Sequence, residues 1–413
     1  MKNIVRFASI ATILLCGPAC GCIQSMTNPA HPEVTEQEGQ NDNKTGCVPF
    51  TARVNVQSET AAPTAIIDGE WVAVGCKKDY ALQLDYDNLY KGQHSYRFEL
   101  RGEEDNTLSS HSGGSKGRSE MSWCYATDAD FAGQDASVLE DATILKTVYY
   151  HGKGYCPQAS SMRYRFAIKL PSSAPDNISS IFAQWHGMPS RTLARRPDGQ
   201  IVNLSDSEFI ELSKTMTIKK DRGYEVGTDG KLHENGWRFE QGGYPPLAFA
   251  FGSGYFYIQA NSDRSWLTDK DIRCNINPTS AEIGDYRIAP NKGPVTDIKR
   301  STLVYKMPIA DFPKDTWVSF DILVNWTKYG QEAETAEGGM IDINMSWDQP
   351  TKARKARKAA SQETISKHIV DHMPLLIGRN DHKGYYFKFG IYRADGSTVP
   401  VIWNLAGYEE TEL

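Results

Sequence analysis

Two short strings, about two hundred residues apart, hold the side chains best suited to acid–base work. The first is Phe182-Ala-Gln-Trp-His186-Gly-Met-Pro-Ser-Arg191; the second is Tyr385-Tyr-Phe-Lys388-Phe-Gly-Ile-Tyr392-Arg393. Both read as β-strands, and successive side chains of a strand point to opposite faces of its sheet. Tyr386, Lys388, Gly390 and Tyr392 therefore share one face, and Tyr385, Phe387, Phe389 and Ile391 the other. Gln184 and His186 likewise share a face opposite Trp185. One face is apolar and the other offers imidazole, amide, ammonium and phenol to a polar ligand. An imidazole titrates near 6.5 and works as a base around neutral pH. A phenol, near 10, is a poor base unless cations lower it, but it donates a proton to a departing oxygen. By residue pattern alone, His186 reads first as a structural histidine and Tyr392 as a core aromatic.

A third string, Lys116-Gly-Arg118-Ser-Glu120, places Lys116, Arg118, Glu120 and Ser122 on one strand face. That is either a solvated charged face or a binder of carboxylate and sulfate oxygens, for which the Arg fork is suited. Three longer stretches accompany these strings. They are Trp237-Arg-Phe-Glu240-Gln241-Gly-Gly-Tyr-Pro-Pro246, Ala260-Asn-Ser-Asp-Arg264-Ser-Trp266-Leu-Thr-Asp-Lys270 and Leu376-Ile-Gly-Arg-Asn380-Asp381. Together, from about Thr51 to Tyr408, the chain resembles the heparin lyase I family of polysaccharide lyases.

The resemblance implies an endolytic enzyme that cleaves heparin or highly sulfated heparan sulfate by β-elimination, leaving 4,5-unsaturated ends. Elimination requires that the uronate carboxylate be neutralised so that the C5 proton becomes acidic. A base then removes that proton and an acid protonates the leaving O4. In this family's pattern His186 and Tyr392 are the catalytic pair. Arg118, Gln184 and Lys388 are expected to bind substrate, and Arg191 and Gln241 are further candidates for sulfate or sugar contacts. Lys388 and Tyr392 lie about 13 Å apart by strand rise, a spacing that suits neighbouring subsites. The resemblance also implies a structural calcium held by Glu240, the Trp266 carbonyl, Asn380 and Asp381. Those side-chain oxygens are of the kind calcium takes, although no EF-hand spacing is present.

The composition frames these expectations. The chain has 413 residues and a formal charge of −6, made more negative if Lys2 and Arg6 leave with a signal segment. An acidic balance argues against a nucleic-acid partner and requires that any polyanion site be a local basic patch. Residues 1–22 read as an export signal: a positive start, then an apolar run from Phe7 to Leu15 too short to span a bilayer. Cys16, Cys20 and Cys22 crowd its end, so either Cys20 or Cys22 is acylated as a lipoprotein anchor or the signal is simply cleaved. Residues 23–46 are a polar tether. A periplasmic or lipid-anchored location in a bacterial envelope is expected, with no transmembrane segment. Five cysteines remain, an odd number with no zinc-ligand spacing. A monomer is expected.

Strand signals position the chemistry. Ser95–Arg101, Lys116–Tyr125, Arg163–Leu170, Leu247–Asn261, Ser301–Met307, Trp317–Trp326, Met340–Trp347, Tyr385–Arg393 and Val399–Leu405 alternate with period two and are rich in β-branched and aromatic residues. Helical pattern is scarce: Ser205 capping Glu208–Lys214, and residues 135–146. Residues 47–413 are thus expected to form an all-β jelly-roll sandwich of two antiparallel sheets. Residues 189–236 break the rhythm and read as an insertion, which the resemblance makes a thumb over the substrate groove. The most basic run, 352–358, is either a mobile solubilising loop or a sulfate contact. Because one sandwich hosts many functions, a non-catalytic sulfated-polysaccharide binder and a lyase for another uronate polymer stay open.

Overall fold

The computed structural model of the protein describes residues 45–49, 70–74, 78–102, 117–124, 158–187, 192–219, 222–240, 245–264, 266–267, 299–350, 362–381, 384–393 and 398–413. Two large sheets face each other. Across the first run β1 (Cys47–Pro49), β3 (Leu82–Tyr90), β4 (Gln93–Leu100), β23 (Val401–Glu412), β6 (Ser161–Lys169), β16 (Trp317–Asn325), β19 (Met340–Pro350) and β20 (Gln362–Pro374). Across the second run β15 (Lys299–Pro308), β14 (Tyr255–Asp263), β13 (Leu247–Gly252), β7 (Ser180–Gly187), β22 (Tyr385–Tyr392), β5 (Arg118–Cys124) and β2 (Glu70–Val74). The short β21 (Gly378–Arg379) adds in parallel to β14; the pairings along both sheets are antiparallel.

The period-two pattern explains the layering. In β16 every second side chain is buried, Val318, Phe320, Ile322 and Val324, and the intervening ones are only half-covered. Phe320 meets Phe249 of the second sheet at a ring separation of 5.2 Å, and Phe166 meets Phe387 at 5.6 Å. Tyr164 lies edge-on to Trp185 at 4.8 Å. One apolar cluster therefore joins the inner faces of both sheets, and the fold is an all-β jelly-roll sandwich.

Residues 193–239 form a separate sheet, in the order β10 (Thr217–Lys219), β11 (Arg222–Val226), β12 (Leu232–Phe239), β8 (Leu193–Arg195), β9 (Ile201–Asn203). It carries α1 (Asp206–Thr215) and a small core of Ala194, Phe209 and Phe239. The expected cap is present: Ser205 Oγ accepts from the Glu208 N–H at 3.2 Å, and Glu208 Oε2 accepts from the Ser205 N–H at 2.7 Å. A further two-stranded ribbon joins β17 (Lys328–Gly330) and β18 (Thr335–Glu337).

One strand expectation is corrected. Leu247–Asn261 is not one strand but the hairpin β13–β14, turned by Ser253 and Gly254. Both turn residues have positive φ, 51° and 79°, as a two-residue turn requires to match strand twist. The last strand also runs on to Glu412, beyond the expected Leu405. The expected helix at 135–146 and the basic run 352–358 lie outside the described residues.

Candidate active site

β22 is the central element. Its inward side chains, Tyr385, Phe387, Phe389 and Ile391, sit in the core. Its outward side chains are covered too: Tyr386 is 7% exposed and Lys388 5%. A lysine that deeply covered on an outer sheet face calls for a buried anion beside it, because an unpaired ammonium resists leaving water. β7 pairs along one side of β22 and β5 along the other. The ladder sets His186 opposite Tyr386, Gln184 opposite Lys388, and Tyr392 opposite both Ile181 and Arg118. Along the cleft the order is thus His186 with Tyr386, then Gln184 with Lys388, then Glu120 beside Gly390, then Tyr392 with Arg118.

Glu120 holds the middle together. It is 1% exposed. Its Oε2 lies 3.0 Å from Lys388 Nζ and 2.9 Å from Arg118 Nε, and its Oε1 accepts from Gln184 Nε2 at 2.5 Å. Two cations share one carboxylate, so this group keeps a net positive charge. Burial draws the Lys388 ammonium down to about 8, with Glu120 opposing that shift and Arg118 adding to it. Burial pushes the Tyr386 phenol up, and the Glu120 charge adds to the rise, so this tyrosine stays neutral.

Arg118 also joins the tyrosine to the group. Its guanidinium carbon stands 4.4 Å from the centre of the Tyr392 ring, a cation–π contact. Tyr392 itself is half-buried, the most open of the outward β22 side chains. His186, also half-buried, lies 5.6 Å from Tyr386 between ring centres. Its Nδ1 is 3.2 Å from the Gly187 carbonyl. A carbonyl only accepts, so in that contact Nδ1 is the donor.

A local device aims Tyr392. The ladder between β22 and β7 slips between Phe389 and Tyr392, so β22 carries one extra residue there. Gly390, at φ 140°, makes the slip, and a Cβ on it would run into the Ser119 carbonyl. Trp403 of the facing sheet donates its indole N–H to the Gly390 carbonyl at 3.0 Å. Beyond the strand, buried Arg393 donates to the Val399 carbonyl at 2.5 Å, fixing the exit of β22.

The expected metal donors are all deeply buried, and Asp381 lies beside the end of β7. Glu240, Asn380 and Asp381 are 0% exposed and Trp266 3%. The Glu240 N–H donates to the Leu193 carbonyl at 3.2 Å, and Leu193 packs with Trp266. The Asn380 amide nitrogen donates to the carbonyls of Arg264 at 2.8 Å and Gln331 at 3.2 Å, turning its oxygen the other way. Gln158 donates to the carbonyls of both Arg379 and Asp381. A Cβ on Gly187 would collide with Asp381 Oδ2, so this carboxylate presses against the residue that follows His186. Two buried carboxylates and a buried amide oxygen are a donor set that fits a hard dication.

Of the sequence candidates, Arg118, Gln184 and Lys388 come together around Glu120, with Tyr392 joined through Arg118 and His186 one ladder step from Gln184. Arg191 and Gln241 lie outside the described residues. Sequence reading missed Glu120 as the organiser, treating it as one charge on an outer face; its parity with Arg118 was the available signal. It also missed Tyr386 opposite His186, which needs the strand register.

A family model described as polysaccharide lyase matches residues 63–404. Heparin lyase I of Pedobacter heparinus is 50% identical over 379 residues, covering 89% of this chain and 93% of that protein. Among solved structures, an endo-β-1,4-glucuronan lyase from Trichoderma reesei is 11% identical with a TM-score of 0.34, over 88% of this chain and 94% of that one. An alginate lyase from Pseudomonas aeruginosa is 10% identical with a TM-score of 0.29, over 82% and 88%.

Proposed function

The chain belongs to the polysaccharide lyase family, and we propose that it cleaves heparin and highly sulfated heparan sulfate within the chain by β-elimination. The half-identity to heparin lyase I along nine-tenths of the sequence carries this reading. The cleft chemistry supports it. A uronate carboxylate seated over Lys388, Gln184 and Arg118 meets a net positive group, which stabilises the charge that builds on the carboxylate as C5 loses its proton.

His186 and Tyr392 flank that seat. In this reading His186 Nε2 takes the C5 proton and the Tyr392 hydroxyl gives one to the leaving O4. The C4–O4 bond breaks, the C5–H electron pair becomes the C4–C5 double bond, and one new unsaturated end appears per cut. Glu120 positions the substrate-binding side chains and takes no proton itself. Arg191 and Gln241 are proposed as additional sulfate or sugar contacts. The small sheet 193–239 with its helix supports a thumb placed over the groove.

Glu240, Asn380, Asp381 and the Trp266 carbonyl would hold calcium. When bound, the ion would supply a fixed positive charge that offsets the buried carboxylates of Glu240 and Asp381. The protein is proposed to be exported, on the strength of residues 1–22; among the described residues no helix is long and apolar enough to cross a membrane. Digestion of heparin followed in the ultraviolet tests the reaction: absorbance from 4,5-unsaturated products is expected to grow with each cut. Saturated products would show hydrolysis and remove the lyase assignment for this substrate.

A further inference from the structure

A second cluster of metal-binding side chains stands on the first sheet, remote in the fold from the cleft floor of the second. Asp342 of β19 lies between Ile341 and Ile343, both 0% exposed in the core, so it faces outward; yet it is only 7% exposed. Two histidines of the edge strand β20 cover it. His368 Nε2 lies 2.6 Å and His372 Nδ1 3.0 Å from Asp342 Oδ2. Asp371 closes the group, with its Oδ1 2.9 Å from His372 Nδ1 and 3.9 Å from His368 Nδ1.

An unbroken strand would not assemble these residues. Simple alternation puts His368, Val370 and His372 on one face and Asp371 on the other. Two register slips change that. The pairs run Asn344↔His368, Ile343↔Val370 and Ile341↔Met373, so β20 carries an extra residue at Ile369 and sets both Asp371 and His372 against Asp342. Val370 goes into the core at 4% exposure, while His368, Asp371 and His372 all come to the outside. His372 adopts a left-handed backbone, φ 41°, and its N–H donates to Asp342 Oδ2 at 3.0 Å.

The donor atoms of the four residues all lie within 4.8 Å of one another. A zinc ion with bonds of about 2.0–2.1 Å holds tetrahedral ligands about 3.3 Å apart, in the middle of the separations present here. Two imidazoles with two carboxylates suit zinc and its transition-metal neighbours, whereas calcium takes oxygen donors. We propose that Asp342, His368, Asp371 and His372 form a binding site for one divalent transition-metal ion, zinc foremost. The ion takes the place of the protons that bridge imidazole to carboxylate, and so pins the exposed edge strand β20 to β19. The site is separate from the calcium donors in both place and chemistry.

Titration of untagged, chelator-stripped protein with zinc, in buffer holding excess calcium, tests this by calorimetry and by melting temperature. One zinc per chain and a raised melting temperature are expected. His368→Ala and His372→Ala each weaken that binding by more than about tenfold, coordination being sensitive even to groups outside the ligand shell. Each imidazole also pairs with the buried Asp342 carboxylate, so each variant's metal-free melting temperature sets its own baseline, and the zinc-dependent rise above it separates lost coordination from lost folding. Cobalt in place of zinc should give the intense visible bands of a tetrahedral site, absent in the double variant. Failure to find a stoichiometric site, displacement of zinc by the calcium, or a site surviving in the His368→Ala/His372→Ala protein would each overturn the proposal.

Discussion

Lys388 Nζ lies 3.0 Å from Glu120 Oε2, on a diagonal between β22 and β5, and both groups are almost wholly buried beneath the cleft. A buried pair of this kind gains little stability of its own against the cost of leaving water. Its use is positional. The same carboxylate meets Arg118 and Gln184, so one anion sets the direction of the three groups proposed to bind the substrate.

That relationship gives the enzyme a pH dependence. Lys388 is drawn down to about 8, so raising the pH through about 8 discharges it and kcat/KM should fall on that alkaline limb. Glu120→Gln removes the anion that keeps the proton on Lys388, moving the limb to lower pH. Lys388→Arg, which does not discharge, should abolish the limb even at reduced activity; an unchanged profile would assign it to another group. For folding the sign is opposite. Unfolded lysine keeps its proton to about 10.5, so this residue's contribution is most favourable above that pH and is lost as the pH falls through about 8.

The two flanking residues should separate turnover from binding. His186→Ala and Tyr392→Phe are expected to lose about 10²–10⁴-fold in kcat while still retaining heparin on an affinity column, the usual contribution of a general acid or base. Arg118→Ala should weaken both, and more at low salt, where unscreened charges matter most. Loss in Tyr392→Phe alone, with His186→Ala near normal, would make the tyrosine both base and acid. Near-normal rates in both would remove this pair as the catalytic site.

Gly390 offers a test of the aiming device. Gly390→Ala forces a side chain into a backbone region that excludes it and against the Ser119 carbonyl. A cost of roughly 1–3 kcal/mol in stability is expected, measurable as a lower denaturant midpoint. Activity should fall further than stability explains, because Tyr392 is displaced from Arg118. An alanine variant with full activity would show that the slip does not matter to the chemistry.

Calcium removal should lower the melting temperature, since an ion bound only by the folded state stabilises it, by about 2.7 kcal/mol when present at a hundred times its Kd. Asp381→Asn should abolish that calcium-dependent increment. Gly187→Ala should reduce it as well, because the new methyl group meets Asp381 Oδ2. Equal melting curves with and without chelator in the wild type would argue that the site holds no calcium.

Much of this protein is legible in the chain itself. Side-chain alternation is local, so the parity of Tyr386, Lys388 and Tyr392 and of Gln184 and His186 follows from their spacing, and the structure keeps it. The capped helix after Ser205 is local too, since both capping hydrogen bonds span three residues. The hairpin at Ser253 and Gly254 is equally local, yet the strand pattern runs unbroken across its two turn residues. What spacing could not supply is register, because which residues of two distant strands meet depends on the packing of everything between them. Only the folded chain sets Glu120 among Arg118, Gln184 and Lys388, and Tyr386 across from His186. The same holds for Asp381, brought from nearly two hundred residues away to rest against Gly187. It holds most plainly in β20, where two slips of one residue each carry His368, Asp371 and His372 to one side of a strand whose sequence alternation would have parted them.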